Sequence, residues 1–204
     1  MLERLFEDAR GDDAREAAIG NGGAGPVSAA ELAQRQDSIY MPISREAGVM
    51  IYQLVRASKP ATVVEFGMSF GISTIFLAAG VRDNGAGRVI TTELSDNKVA
   101  VAGANLREAG LDDLVTILHG DARETLAAID GPIELLLLDG WKDLYLPVLK
   151  LLEPQLPAGT LVLADDSSFS SVAEYLSYVR DPANGYESVE FPVEDGFEIS
   201  CRVG

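Results

Sequence analysis

Residues Ala61-Thr-Val-Val-Glu-Phe-Gly-Met-Ser-Phe-Gly-Ile-Ser-Thr74 decide the fold. A β-branched apolar run ends in an acid, and a turn punctuated by Gly67 and Gly71 then opens a helix. Glycine accepts left-handed backbone angles and close ligand approach without steric cost, so the stretch reads as strand, tight turn and helix N-terminus. Such a corner can hold a nucleotide-like ligand against bare backbone. About one strand-helix interval later, Arg88-Val-Ile-Thr-Thr-Glu93 repeats the pattern. Its terminal acid can accept hydrogen bonds from both hydroxyls of a ribose. The pair points to an adenosyl cofactor.

Which cofactor depends on phosphate. A dinucleotide fingerprint reads G-x-G-x-x-G, with the pyrophosphate on the helix N-terminus. Here an acid, Glu65, stands in front of the turn, and the third glycine is absent. A carboxylate disfavours pyrophosphate and suits the ammonium of a methionine-type tail, directly or through water. S-adenosylmethionine has such a tail. Phe70, within the turn, and Asp121-Ala122, after the third apolar run, join the candidate cofactor-binding residues. The bland alternative is an ordinary β-turn-α corner with a capping acid.

With 204 residues, 47% of them hydrophobic, the chain can bury a core without a metal or disulfide staple. The net charge of −16 repels nucleic-acid phosphates and anionic membranes, which leaves small-molecule substrates as the expected partners. Cys201 is the single cysteine, so no intramolecular disulfide forms, and a reducing compartment is expected. It lies in a period-two stretch and reads as a packed thiol, not a nucleophile. The N-terminus starts with acids and helical spacing instead of a cationic signal, and no run is long enough to span a membrane. A cytoplasmic protein is expected.

Along the chain, residues 2–19 carry amphipathic helical spacing, and the glycine-dense stretch 20–26 reads as a flexible connector. This divides the chain into an N-terminal helix and arm (1–27) and one domain (28–204), the arm serving as a lid or a homodimer contact. Ser28 and Ser44 look like caps for helices over 28–36 and 44–58. From Ala61 onward, strands at 61–66, 88–94, 114–118, 133–138 and 159–165 alternate with helices at 72–81, 96–109, 121–129 and 144–153. That rhythm predicts a doubly wound α/β fold, a parallel sheet with helices on both faces. After a helix at 170–180, strands 187–191 and 197–203 form a hairpin that closes the sheet with an antiparallel edge.

Ligands of doubly wound sheets bind beyond the carboxyl ends of the strands. Leu135-Leu-Leu-Leu138 delivers Asp139-Gly-Trp-Lys142, and Thr160-Leu-Val-Leu-Ala164 delivers Asp165-Asp166. Three converging carboxylates repel unless a cation, protons or water intervene. A divalent metal on Asp139, Asp165 and Asp166 is the sharp reading, and oxygen-only ligands favour Mg²⁺, Mn²⁺ or Ca²⁺. The other reading is metal-free, with one aspartate capping a helix and the rest solvated. Lys142 is the candidate general base, its pKa lowered by a nearby cation and partial desolvation, or else a solvated lysine. Trp141 either walls an aromatic substrate or packs, and His119, the single histidine, borders the cofactor crevice or packs.

Together these residues resemble the catechol O-methyltransferase-like branch of the class I S-adenosylmethionine-dependent methyltransferases. The resemblance runs from about Met41 to the C-terminus. It rests on Glu65-x-Gly67-x-x-x-Gly71-x-Ser73, on Glu93, on Asp139-x-Trp141-Lys142-Asp143-x-Tyr145-Leu-Pro147, and on Gly159-Thr-x-Leu-x-Ala-Asp165-Asp166. It implies a seven-stranded, Rossmann-like sheet with a reversed last strand, Mg²⁺ on Asp139, Asp165 and Asp166, and Lys142 as base. It also implies that Met41 and Ile43 cover the methionine part of the cofactor, that Gly67 and Ser73 form the glycine-rich turn, and that Glu93 holds the ribose. Three positions depart from the pattern. Asp166 stands where the family usually has asparagine. Gly140 replaces the histidine of animal relatives, leaving more room near the methyl group. The late glutamate that holds a substrate hydroxyl has no match in register, although Glu190 and Glu194 lie nearby.

The reading that follows is methyl transfer to a hydroxyl of a small, catechol-like acceptor, with Lys142 and Asp139 catalytic. A metal-independent methyltransferase acting on a carboxylate or amine, a non-catalytic adenosyl-binding subunit and a nicotinamide oxidoreductase are the alternatives.

Overall fold

The structure is a computed structural model that describes residues 1–19 and 28–204; the expected glycine connector lies outside the described residues. Seven strands form one sheet in the order β3-β2-β1-β4-β5-β7-β6. They are β1 (Thr62–Phe66), β2 (Arg88–Glu93), β3 (Val115–His119), β4 (Leu135–Leu138), β5 (Leu161–Asp165), β6 (Tyr186–Phe191) and β7 (Phe197–Arg202). The first five are mutually parallel, and the order reverses between β1 and β4, which are paired from Val63↔Leu135 to Phe66↔Leu138. β1 and β4 are buried at every position. Central parallel strands are covered on both faces, which is why they read as unbroken apolar runs.

The helices are α1 (Leu2–Ala9), α2 (Asp12–Ile19), α3 (Ala29–Arg35), α4 (Arg45–Ser58), α5 (Ile72–Asn84), α6 (Asp96–Ala109), α7 (Ala122–Thr125), α8 (Tyr145–Leu152) and α9 (Ala173–Val179). Ser28 caps α3 in a reciprocal box with Glu31, Ser44 caps α4 through the Ala47 N–H, and Ser95 caps α6 through the Lys98 N–H. Two apolar layers result. One packs α7, α8 and α9 on the face that carries Val64, Leu136 and Val162; the other packs α1, α4, α5 and α6 on the face that carries Val63, Leu135 and Leu163.

Three expectations change. The single helix over 2–19 is two, broken at Arg10-Gly11: the Gly11 N–H bonds back to the Asp8 carbonyl, and Asp12 and Asp13 start the next helix with charges that suit an N-terminus. α1 packs on its own chain through the fully buried Leu5. The helix expected over 121–129 is one α-turn followed by a 3₁₀ turn at Leu126–Ala128. Finally, the antiparallel strand is not the edge. β7 inserts between β5 and β6, paired as Ala164↔Glu198, because its own residues Phe197, Glu198 and Ser200 are buried. β6 is left outside with Glu187 and Glu190 exposed, charges that blunt a sheet edge.

Candidate active site

A cleft of about 480 Å³ opens over the carboxyl ends of β1, β2, β4 and β5, at the point where the strand order reverses. Gly67 makes this corner possible. Its φ is +96°, and a Cβ there would lie 2.5 Å from the Asp139 carbonyl oxygen, so glycine lets the ends of β1 and β4 close on each other. At Gly140 the limit is a side chain: a Cβ would strike the Phe66 ring at 2.5 Å. Gly140 itself lines the cleft.

Met41, Ile43, Gly67, Phe70, Ser73 and Glu93 line the cleft, as do Asp121, Ala122, Asp139, Trp141, Lys142, Asp165 and Asp166. Glu65 and Gly71 do not line it. Gly71 is the left-handed residue that starts α5. Glu65 is fully buried behind the turn, where Thr91, its register partner on β2, and Thr74 both donate hydroxyls to Oε2. Burial pushes its carboxyl above the usual range against the pull of the Ser73, Thr74 and Thr91 hydroxyls. Any influence on a ligand passes through Ser73, which does reach the cleft.

At the β2 end, the Glu93 carboxylate accepts the backbone N–H groups of Leu94 (2.7 Å), Ser95 (2.8 Å) and Ser69 (2.9 Å). Asp121 caps α7 and is held by Arg123, whose guanidinium keeps its carboxyl below the usual range. His119 lies outside the cleft, bridged to Asp96 at 3.1 Å.

The three aspartates meet at the β4 and β5 ends. Burial, then Asp165, pushes Asp139 well above the usual carboxylate range; burial, then Asp166, pushes Asp165 up to about 7. Among the described residues, no group of three or more His, Cys, Asp or Glu side chains is arranged as a metal cage. Instead Lys142 stands between them, its Nζ 2.7 Å from Asp166 Oδ2 and 3.6 Å from Asp139 Oδ1, and donates to the Tyr145 hydroxyl at 2.8 Å. The protein's own groups alone raise the Lys142 pKa. Burial pulls the ammonium down, but Asp139 and Asp166 outweigh it and hold it above its usual range.

The matches to known proteins agree with this geometry. Residues 64–167 match the family described as "Methyltransferase domain". The chain is 31% identical to catechol O-methyltransferase B of Danio rerio over 87% of its own length and 72% of that protein's, and 31% identical to catechol O-methyltransferase of Mus musculus over 80% and 66%. The chain belongs to the catechol O-methyltransferase-like family of S-adenosylmethionine-dependent O-methyltransferases. The fold of this methyltransferase is also that of the SAH-bound methyltransferase PaMTH1 of Podospora anserina, with a TM-score of 0.68 at 23% identity over 92% of this chain and 93% of that one.

Three functional candidates carried no sequence motif. Lys98, on the first turn of α6, is 4% exposed yet lines the cleft. Asp12 on α2 accepts the backbone N–H groups of Tyr40 and Met41 at 2.9 Å, and so fixes the segment that enters the cleft. Glu194, in the turn between β6 and β7, also lines the cleft and accepts the Ser44 N–H at 2.8 Å, a bond across 150 residues. Nothing in the sequence pointed to Lys98 or Asp12, whereas Glu194 stood out only as a late glutamate out of register.

Proposed function

We propose that this O-methyltransferase acts on a hydroxyl of a small, flat, vicinal-diol acceptor, with a divalent cation held by Asp139, Asp165 and Asp166. The observation that carries the reading is the charge imbalance at the β4 and β5 ends. Three carboxylates face one ammonium there, and Asp139 and Asp165 are both pushed towards protonation. An all-oxygen donor set whose three carboxylates outnumber the one ammonium beside them fits Mg²⁺, Mn²⁺ or Ca²⁺. A bound cation would supply Lewis acidity, making a hydroxyl it touches easier to deprotonate.

The chain's own residues do the rest. Glu93 would accept from the donor's ribose, Met41 and Ile43 would cover its methionine end, and Trp141 would wall the ring. Lys142 is a proton acceptor only when the carboxylate field around it is neutralised, because that field now keeps it an ammonium. Tyr145 orients it, accepting from Nζ while donating to the Asp165 carbonyl at 3.3 Å. Alignment of donor and acceptor in near-attack geometry contributes most, about 7 to 11 kcal/mol.

The 2.7 Å contact between Lys142 and Asp166 favours a second reading, in which the lysine itself serves as the cation and no metal takes part. Methylation of a neutral diphenol, measured with Mg²⁺ and with a chelator, separates the two. The metal reading expects activity to vanish with chelator and Lys142→Met to lose a factor of about 10² to 10⁴. Full activity in chelator would hand the site to the second reading.

A further inference from the structure

Two cations line the cleft among the described residues, Lys142 and Lys98, and the mechanism above uses only the first. Lys98 is nine-tenths buried, and its Nζ lies over the Phe70 ring, 5.6 Å from the ring centroid. Among the described residues, its head group forms no hydrogen bond or ion pair. Burial of an unpaired ammonium is costly, and a face-on aromatic ring offsets only part of that cost. The carboxylates of Glu93, Asp12, Asp37 and Asp139 act on the ammonium from a distance, and the cleft that the side chain lines is where a hydrogen-bonding partner can reach it.

The place of Lys98 identifies that partner. Ser95 caps α6 by accepting the Lys98 N–H, and the Ser95 N–H itself binds Glu93. Phe70, under the ammonium, directly follows Ser69, whose N–H holds Glu93 Oε2. Glu93 and Lys98 thus border the same cleft, and the Glu93 carboxylate is the foremost charge that Lys98 feels. A ribose hydroxyl both donates and accepts, whereas a carboxylate can only accept. Glu93 therefore satisfies the ribose protons and leaves the oxygen lone pairs without a donor. Lys98 brings three donors to the same place.

We infer that Lys98 donates a hydrogen bond to a ribose hydroxyl oxygen of the bound donor, so that Glu93 and Lys98 read the diol from opposite sides. The inference rests on the proposed reading of Glu93 as the ribose acid. A site that hydrogen-bonds a hydroxyl rejects the analogue that lacks it. The test is calorimetric titration of the full chain with S-adenosylhomocysteine and with its 2′,3′-dideoxyribose analogue.

Lys98→Met keeps the buried stem. It should weaken binding of the ribose ligand about tenfold, a loss typical of a hydrogen bond to a charged group, while the dideoxy ligand changes by less than about twofold. Lys98→Arg, which keeps a cationic donor, should retain most of the discrimination. Equal weakening of both ligands by Lys98→Met, or of neither, overturns the role of Lys98 while leaving the cofactor site intact, provided Glu93→Gln still lowers discrimination. If the wild-type chain does not distinguish the ligands and Glu93→Gln is silent, the ribose reading of Glu93 falls, and this inference with it.

Discussion

Replacement of Asp165 by asparagine should stabilise the metal-free protein, increasingly so as pH rises. Asp165 is 6% exposed, and burial together with Asp166 raises its carboxyl to about 7. In the unfolded chain the same group titrates near about 3.9. Between these values the native state binds the proton that the unfolded state has lost, so stability falls as pH rises through the window and levels off above it. A shift of about three units, at about 1.4 kcal/mol each, bounds the penalty near about 4 kcal/mol. Asp139 shares the repulsion, so Asp165→Asn alone should recover about 2 kcal/mol, or roughly 4 to 8 °C in Tm for a chain of this length. Thermal unfolding in chelator at about pH 5 and about pH 8 checks this, because at the lower value less than half of the penalty has developed. Saturating Mg²⁺ at the higher pH should close the gap by stabilising the wild type alone. An advantage that does not grow with pH, or a variant less stable than wild type at about pH 8, would refute the argument.

Two further substitutions probe the frame of the cleft. Gly67→Ala forces a Cβ to within 2.5 Å of the Asp139 carbonyl oxygen at a φ of +96°, whereas Gly71→Ala, at +87°, meets nothing nearer than the Ala102 Cβ at 3.4 Å. Denaturant unfolding should therefore show a loss of about 2 to 5 kcal/mol for the first and about 1 to 2 kcal/mol for the second; equal losses would mean that the β1–β4 closure is not what Gly67 provides. Asp12→Ala removes the acceptor for the Tyr40 and Met41 N–H groups, which should raise the S-adenosylmethionine KM about tenfold with little change in kcat, and speed exchange of those two amides. An unchanged KM with faster exchange would separate the clamp from cofactor binding.

The sheet was legible because its physics is local. Buried parallel strands need apolar side chains on both faces, so Val63-Val64 and Leu135 to Leu138 stand out as runs, and the acids that follow them fall at the ligand-binding ends. The order of the last two strands was not, because it depends on which strand of the hairpin buries more, Phe197 and Glu198 against the exposed Glu187 and Glu190. Glu65 was visible as an acid before the turn, but its enclosure depends on the β1–β2 register that sets Thr91 beside it. Lys98 reads in sequence as an ordinary lysine on a helix. Its burial is a property of packing against Phe70, which no spacing encodes.

The backbone around the cleft resists sequence reading for a further reason. Among the described residues, five that are not glycine have positive φ, and four of them, Met41, Ser69, Asp166 and Glu194, line the cleft. Methionine, serine and glutamate do not announce that conformation, and each such residue carries a cost of about 1 to 3 kcal/mol. In every case a bond from elsewhere in the chain holds it: Asp12 to the Met41 N–H, Glu93 to the Ser69 N–H, Lys142 to the Asp166 carboxylate, and the Glu194 carboxylate to the Ser44 N–H. These four contacts come from α2, β2, the turn after β4 and the start of α4, so the shape of the cleft is over-determined by the assembled fold. Its walls are therefore set before any ligand enters, and the one contact among the four that a metal would have to break is that of Lys142.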